Sequence, residues 1–381
     1  MAQGLKYDND TLVGGPSRAW VTPNFRLAEY ARPDGSIRIH RELVAAVQIL
    51  RNTLKRSVDI ASLLPEGTLG RGRDGRFVWV EAGEPAEVAA AATRLARDGW
   101  FERIEIKGAG VYLEMPDPAQ LPPLPAENAL ARAIEVTAAF ETSGDPYLQV
   151  TGNFDGAGLS FGPIQVNFGT GTLQEMFRRF EARDAAALRR AFGPRWPAWQ
   201  AVMALPSRRK QVEWADEHSR GRNKADFEPA WTAALQAVGN TPAFRDETLR
   251  YAYDVYGRKL IAALSWLNGV CPIPIGNFRC LAALYDLCVQ QGSLNKAHDT
   301  IRRRIATENP TDEFQLTRIA VEERGRKANA QWRADCISRR LCILEREPVE
   351  VTESGRSAQR DNPNLYLLRN VPVKQMERYL L

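Results

Sequence analysis

AIEVTAAFETSGDPYLQVTGNFDGAGLSFGPIQVNFGTGTLQEMF, residues Ala133–Phe177, is the stretch whose reading decides the fold. A helical run ends in Phe140-Glu141-Thr142, a segment rich in Gly, Asn and Asp follows from Gln149 to Phe168, and a second helix opens near Thr172. That density of turn residues between two apolar periodic runs predicts a small β-structure with tight turns. The stretch also carries two carboxylates 14 residues apart, Glu141 and Asp155. Cleaving a glycosidic bond needs one carboxylic acid to protonate the leaving oxygen and a second carboxylate on the other face of the sugar. Glu141, at a helix end beside apolar Phe140, suits the acid, because an apolar neighbour raises a carboxyl pKa. Asp155, on a polar glycine-rich loop, supplies the second carboxylate.

Working outward, the remainder towards the C-terminus reads as mostly helical. Apolar periodicity predicts helices over 126–142, 173–180, 183–191, 208–218, 227–238, 242–267, 279–291 and 311–345. Upstream, residues 116–125 read PDPAQLPPLP, five prolines in ten positions, a semi-rigid extended segment with few backbone donors to join a sheet or helix. It divides the chain into residues 1–115, the linker 116–125 and residues 126–381. The first part predicts a helix over 39–54, strands in SVDIASLL and RFVWVEA, an Ala-rich helix ending at Gly99, and a β-hairpin over 101–115, together a small α+β domain.

Composition bounds the rest. Hydrophobic residues make up 44% and charged residues 25%, an ordinary globular balance. The most apolar stretch, 260–276, is broken by Asn268, Gly269, Pro272 and Pro274 and falls short of the roughly 20 residues of a membrane span. The five cysteines, all between 271 and 342 and none in a CxxC pair, read as buried free thiols. With no basic, then apolar, leader at the start, the expectation is synthesis without a signal peptide in a reducing cytoplasm. The net charge of +5 favours a polyanionic partner such as cell wall, while the lack of nucleic-acid-binding motifs argues against nucleic acid.

The stretch around Glu141 resembles the family 46 glycoside hydrolases, the chitosanases of the lysozyme superfamily, and their wall-lytic relatives. Those enzymes carry a helix-terminal Glu, then Asp-Gly-x-Gly-Tyr-Thr-x-Gly, then a Gly-Thr-Gly that opens the next helix. Here the match is Glu141, the run Asp155 to Gly162 and Gly169-Thr170-Gly171, with Leu159 in place of the Tyr. The resemblance implies a mainly helical, two-lobed lysozyme-like domain, Glu141 as acid, Asp155 as the base that activates water, and Ser160 in the place of the Thr that positions it. Gln165 and Asn167, alternating on an expected strand, and Thr170 are candidates for substrate contacts or for satisfying the loop backbone. A further match, the run Arg279 to Ser293, resembles the family's buried helix carrying Tyr-Asp, which implies that Asp286 pairs with a late arginine, here Arg339.

The run from Val21 to Ser62 resembles the start of the D-Ala-D-Ala carboxypeptidase family of zinc peptidases. Zinc needs three such ligands plus an open water position. The slots of that family's His, Asp and last His fall on Gly72, Trp79 and Tyr112, and His40 reads as an ordinary surface or core histidine. The expectation is a domain with no metal and no peptidase activity, either binding wall peptides or acting as a positioning module. Taken together, the sequence predicts a muramidase-type peptidoglycan hydrolase needing no cofactor, acting in the periplasm after delivery by phage lysis or an injection-type secretion system. Peptidoglycan glycan strands are the expected partner, with an immunity protein or delivery apparatus beside them. The alternatives are a chitosanase, which an acidic cleft favours, and a non-catalytic wall-binding or virion structural protein.

Overall fold

The computed structural model describes residues 6–8, 10–14, 19–32, 35–60, 75–140 and 144–374. Strands β1 (Lys6–Asp8), β2 (Thr11–Gly14) and β3 (Ile37–His40) form an antiparallel sheet in that order. Ile37 and Ile39 both turn inward from β3, so the apolar run expected to open a helix at Ile39 first completes a strand. Helix α1 (Arg41–Leu54) begins only after His40, whose Nδ1 accepts the Glu42 amide at 3.2 Å and satisfies one of the orphan donors of the helix start. His40 is therefore a buried cap.

Next come β4 (Asp59–Ile60), β5 (Phe77–Glu81), α2 (Pro85–Ala96), β6 (Arg103–Lys107) and β7 (Gly110–Glu114), in an antiparallel sheet of order β4-β5-β7-β6. Alternation divides this sheet. Val78, Val80, Val111 and Leu113 join α1 and α2 in one core, while Phe77, Trp79 and Tyr112 form a separate aromatic cluster. Trp79 and Tyr112, which the sequence resemblance aligns with two of three zinc-ligand slots, are direct register partners, and the Tyr112 hydroxyl donates to the Glu114 carboxylate at 3.1 Å. The third slot, Gly72, and the end of the SVDIASLL strand lie outside the described residues.

The proline-rich segment departs from expectation. Leu124–Pro125 pairs in parallel with Val373–Lys374, and the Leu124 amide donates to the Pro372 carbonyl at 2.8 Å. One remaining donor is enough to tie this segment to the returning C-terminal tail. That tail also reaches the first core. Glu42 of α1, buried, meets Arg346 at 3.0 Å and Arg369 at 3.1 Å, and the Arg369 guanidinium lies 4.3 Å from the centre of the Trp100 ring.

The second part is mainly helical, so the whole is an α+β fold in which helices dominate. Helix α3 (Ala126–Ala138) buries Ala126, Ala129, Leu130, Ala133, Ile134 and Thr137, an amphipathic stripe. The small sheet β9 (Val150–Thr151), β10 (Ser160–Phe161) and β11 (Val166–Asn167), in order β11-β10-β9, is followed by α4 (Thr172–Phe192). Two helices predicted here are one, kinked at Asp184, whose carboxylate caps the second half by accepting the Ala187 amide at 2.8 Å. Helices α5 (Trp196–Met203), α6 (Arg208–His218), α7 (Pro229–Gly239) and α8 (Pro242–Ala252) pack with α4, and a wide turn at Tyr253–Gly257 leads into α9 (Arg258–Val270). The second group contains α10 (Phe278–Gln291), buried on nearly every side, with α11 (His298–Glu308), α12 (Glu313–Arg326) and α13 (Arg333–Glu345). One hydrophobic core runs through both groups. All five cysteines are buried free thiols. Among the described residues, no helix is long and apolar enough to cross a membrane.

Candidate active site

An α-helix ends with backbone carbonyls that lack intrahelical partners, and cations there also meet the negative end of the helix dipole. At the end of α3 four carbonyls are also held from outside. Asn364 donates to the Glu135 carbonyl at 3.1 Å, Asn362 to Val136 at 2.7 Å, Arg339 to Thr137 at 3.2 Å and Arg360 to Phe140 at 2.8 Å. The guanidinium carbons of Arg339 and Arg360 also lie 4.7 and 5.7 Å from the centre of the Phe140 ring. Glu141, the next residue, lies outside the described residues, as do Thr142 and Ser143. The chain leading into it is fixed on the side chains of α13 and of residues 360–364.

Arg339 is itself held. Its Nη2 lies 2.7 Å from Oδ1 of Asp286 on α10, and its Nε donates to both carboxylate oxygens at 2.9 and 3.1 Å. Arg340 approaches the second oxygen at 3.5 Å. All three side chains are buried, Asp286 and Arg340 completely. Burial pushes the Arg340 pKa down, and the adjacent Asp286 carboxylate opposes that shift. Removing one member of such a group leaves a buried charge uncompensated, at a cost of about 3–5 kcal/mol.

The glycine-rich loop is built differently. Asp155 is exposed, and its Oδ1 accepts the Ala157 amide at 3.0 Å in an Asx turn, with Gly156 and Gly158 at φ +85° and +80°. Asn153 clamps the turn by accepting the Gly158 amide at 2.7 Å and donating to Asp216 of α6 at 2.7 Å. Phe154, beside Asp155, is 56% exposed. Ser160 is buried on β10, where its register partners are Thr151 and Asn167, while Val150, Phe161 and Val166 line the next row.

One of the substrate-contact candidates is placed other than expected. Gln165 is not on a strand; it sits in the β10–β11 turn at φ +46°, accepting from Thr151 at 3.1 Å and donating to the Gly162 carbonyl at 2.8 Å. The alternation with Asn167 is broken by that left-handed residue. Asn167 does lie on β11, but its side-chain oxygen accepts from both the amide and the hydroxyl of Thr170 at 2.9 Å. Gln165, Asn167 and Thr170 thus bind one another's loop. The structure gathers Asp286, Arg339 and the end of α3 in one place and Gln165, Asn167 and Thr170 in another, with Ser160 beside Asn167. The separation of Glu141 from Asp155 lies outside the described residues.

Solved structures similar to this chain are chitosanases. The native enzyme of Bacillus subtilis MY002 matches at 15% identity over 62% of this chain and 100% of its own, with a TM-score of 0.42. A Gynuella sunshinyii GH46 chitosanase in complex with chitotetraose matches at 17% identity over 62% of this chain and 99% of its own, with a TM-score of 0.41. No protein-family model matches the chain, and no curated protein does.

Arg340, Arg360, Asn362, Asn364 and Asn153 join the site without a role assigned from the sequence pattern. The run Arg360-Asp-Asn-Pro-Asn has no periodicity, and only its density of side-chain donors signals that it caps something. For Asn153 the signal was local, an Asn preceding a glycine-rich turn.

Proposed function

We propose that residues 126–381 form a lysozyme-like glycoside hydrolase that cuts β-1,4 bonds of bacterial peptidoglycan. Glu141 is the general acid and Asp155 the base that activates water on the opposite face of the sugar, an inverting arrangement that needs about 6.5–9.5 Å between the carboxyl groups. The observation that supports this reading is the end of α3. Four carbonyls of the turn that runs into Glu141 are held by side chains from α13 and residues 360–364. A proton donor must keep a fixed place relative to the leaving oxygen, and a misplacement of about 1 Å costs around 100-fold. The net charge of +5 suits an anionic wall polymer better than polycationic chitosan. The N-terminal part is a metal-free positioning or wall-binding module, and the protein reaches the periplasm by phage lysis or a secretion system.

The test is release of reducing ends from purified peptidoglycan, with chitosan as parallel substrate, comparing the wild type with Glu141→Gln and Asp155→Asn. We expect release from peptidoglycan that falls by about 100- to 10,000-fold in either variant, the cost of losing one acid or one base. Sacculus binding without any release points instead to a wall-binding protein. Release from chitosan alone points to a chitosanase.

A further inference from the structure

Arg339 and Arg360, which hold the end of α3, also line a solvent-open cleft of about 570 Å³ between the end of α10, the α12–α13 turn and the segment before α11. Its wall carries Lys296, Arg324 and Lys327. None of these three has a carboxylate partner among the described residues. Arg324, 5% exposed, donates only to the carbonyls of Ser293 at 2.6 Å and Gln291 at 2.8 Å. Burial, reinforced by the nearby Arg340 cation, holds its pKa below the usual value. The one acid in the described lining, Asp335, is already paired with Arg360 at 3.0 Å. Among the described residues the cleft is therefore a site of uncompensated positive charge, and a low-dielectric wall concentrates such a field.

Two more features narrow what it takes. Trp332 lies in the same lining and is 55% exposed, a flat apolar face open to solvent. An exposed indole presents an apolar face with an N–H handle, suited to one face of a pyranose. Gln291, also in the lining, has a side-chain oxygen with no hydrogen-bond partner, and such a buried acceptor calls for a donor. An aromatic platform, an amide acceptor and three unpaired cations together match a sugar that carries a carboxylate. They do not match glucosamine, whose ammonium the three cations repel.

We propose that this cleft is a binding subsite for an acidic unit of the glycan, with Trp332 under the ring and Lys296, Arg324 and Lys327 facing its carboxylate. The proposal rests on the glycan-hydrolase reading of the end of α3, which Arg339 and Arg360 of this cleft hold, and it names the substrate class. Two parts of peptidoglycan offer this chemistry, the lactyl carboxylate of the sugar itself and the carboxylates of its peptide stem.

The experiment measures binding by calorimetry to the full-length Glu141→Gln protein. The probes are a peptide-free N-acetylglucosamine–N-acetylmuramic acid tetrasaccharide, the same tetrasaccharide with its peptide stems, and a neutral N-acetylglucosamine tetramer. We expect the acidic tetrasaccharide to bind about tenfold or more tightly than the neutral one, a difference that shrinks as salt rises. Lys296→Glu/Lys327→Glu should cost the acidic probe about tenfold and the neutral probe much less. Trp332→Ala should weaken both alike. Preference for the stem-bearing probe alone assigns the carboxylate to the peptide. Equal binding of acidic and neutral probes in the wild type, or an acidic preference that survives the charge reversal, overturns the subsite, and so does stronger binding of a single-stranded oligonucleotide than of any glycan. Thermal melts of the variants separate misfolding from lost binding, and Arg324→Lys, which keeps the charge, should retain the acidic preference. If the wild type releases no reducing ends but the acidic preference stands, the hydrolase reading fails and the subsite survives; active enzyme without preference is the converse.

Discussion

The two sides of the candidate site are held in opposite ways. At the end of α3, the four external bonds join residues 202 to 229 positions apart in the chain. In the Asp155 loop, most bonds join residues within 14 positions: Asp155 to Ala157, Asn153 to Gly158, Gln165 to Gly162, Asn167 to Thr170 and Thr151 to Gln165. The loop is a local motif that a short sequence can specify. The helix end exists only when the C-terminal third of the chain has folded around it. The end of α3, which leads into the proposed proton donor Glu141, depends on the whole fold, whereas the loop that carries Asp155, the proposed base, keeps its shape through its own turns.

The sharpest way to break this comparison is Arg339→Met. It removes the bidentate partner of a fully buried carboxylate and leaves Arg340, 3.5 Å away, as the only described cation beside it. Unfolding in guanidinium should show a loss of about 3 kcal/mol or more. A loss below about 1 kcal/mol means the group is not what holds α10, α13 and the end of α3 together.

A smaller effect tests the capping itself. Asn362, 3% exposed, donates to the Val136 carbonyl at 2.7 Å and accepts the Asn364 amide at 2.8 Å. Asn362→Ala strands the carbonyl and should cost about 1–3 kcal/mol. If the helix end positions the acid, kcat on peptidoglycan falls while KM holds. A variant that loses stability but keeps kcat leaves the cap structural only.

The difference between local and long-range bonding also explains what the sequence made legible. Helices α6 and α10 could be read nearly to the residue, because an amphipathic or apolar period is written in adjacent positions. The pairing of Asp286 was legible in kind, since a carboxylate on an apolar helix needs a cation. That two adjacent arginines share it was not. The expected helix over 311–345 is two helices because Gly325 lets Ile337 pack against its backbone; a Cβ there would lie 2.3 Å from Ile337 Cγ1. Each half keeps helical period, so the periodicity runs across the break and Gly325 is a local sign of it. The run 360–364 was illegible because its partners on α3 are over 200 positions away. Gln165 was misread because a period-2 pattern does not reveal that one residue sits at φ +46°.

The smallest expected effect comes from a bond set that ties the loop to something distant. Asn153 clamps its own turn through Gly158, but it also donates to Asp216, and its amide donates to the Ser219 hydroxyl at 2.8 Å. Lys224 pairs with the same Asp216, and these bonds lower the Asp216 pKa, first through Lys224 and then through Asn153. Asn153→Ala should cost only about 1 kcal/mol, because half-exposed groups can turn to water. Its signature is in where the loosening goes. Amide hydrogen exchange should quicken across 153–158 and leave the amides of α3 unchanged, while activity falls by more than the stability loss explains. If exchange at the end of α3 quickens as well, the loop and the helix end are coupled through α6, and the division into a local and a long-range side gives way to a single connected network.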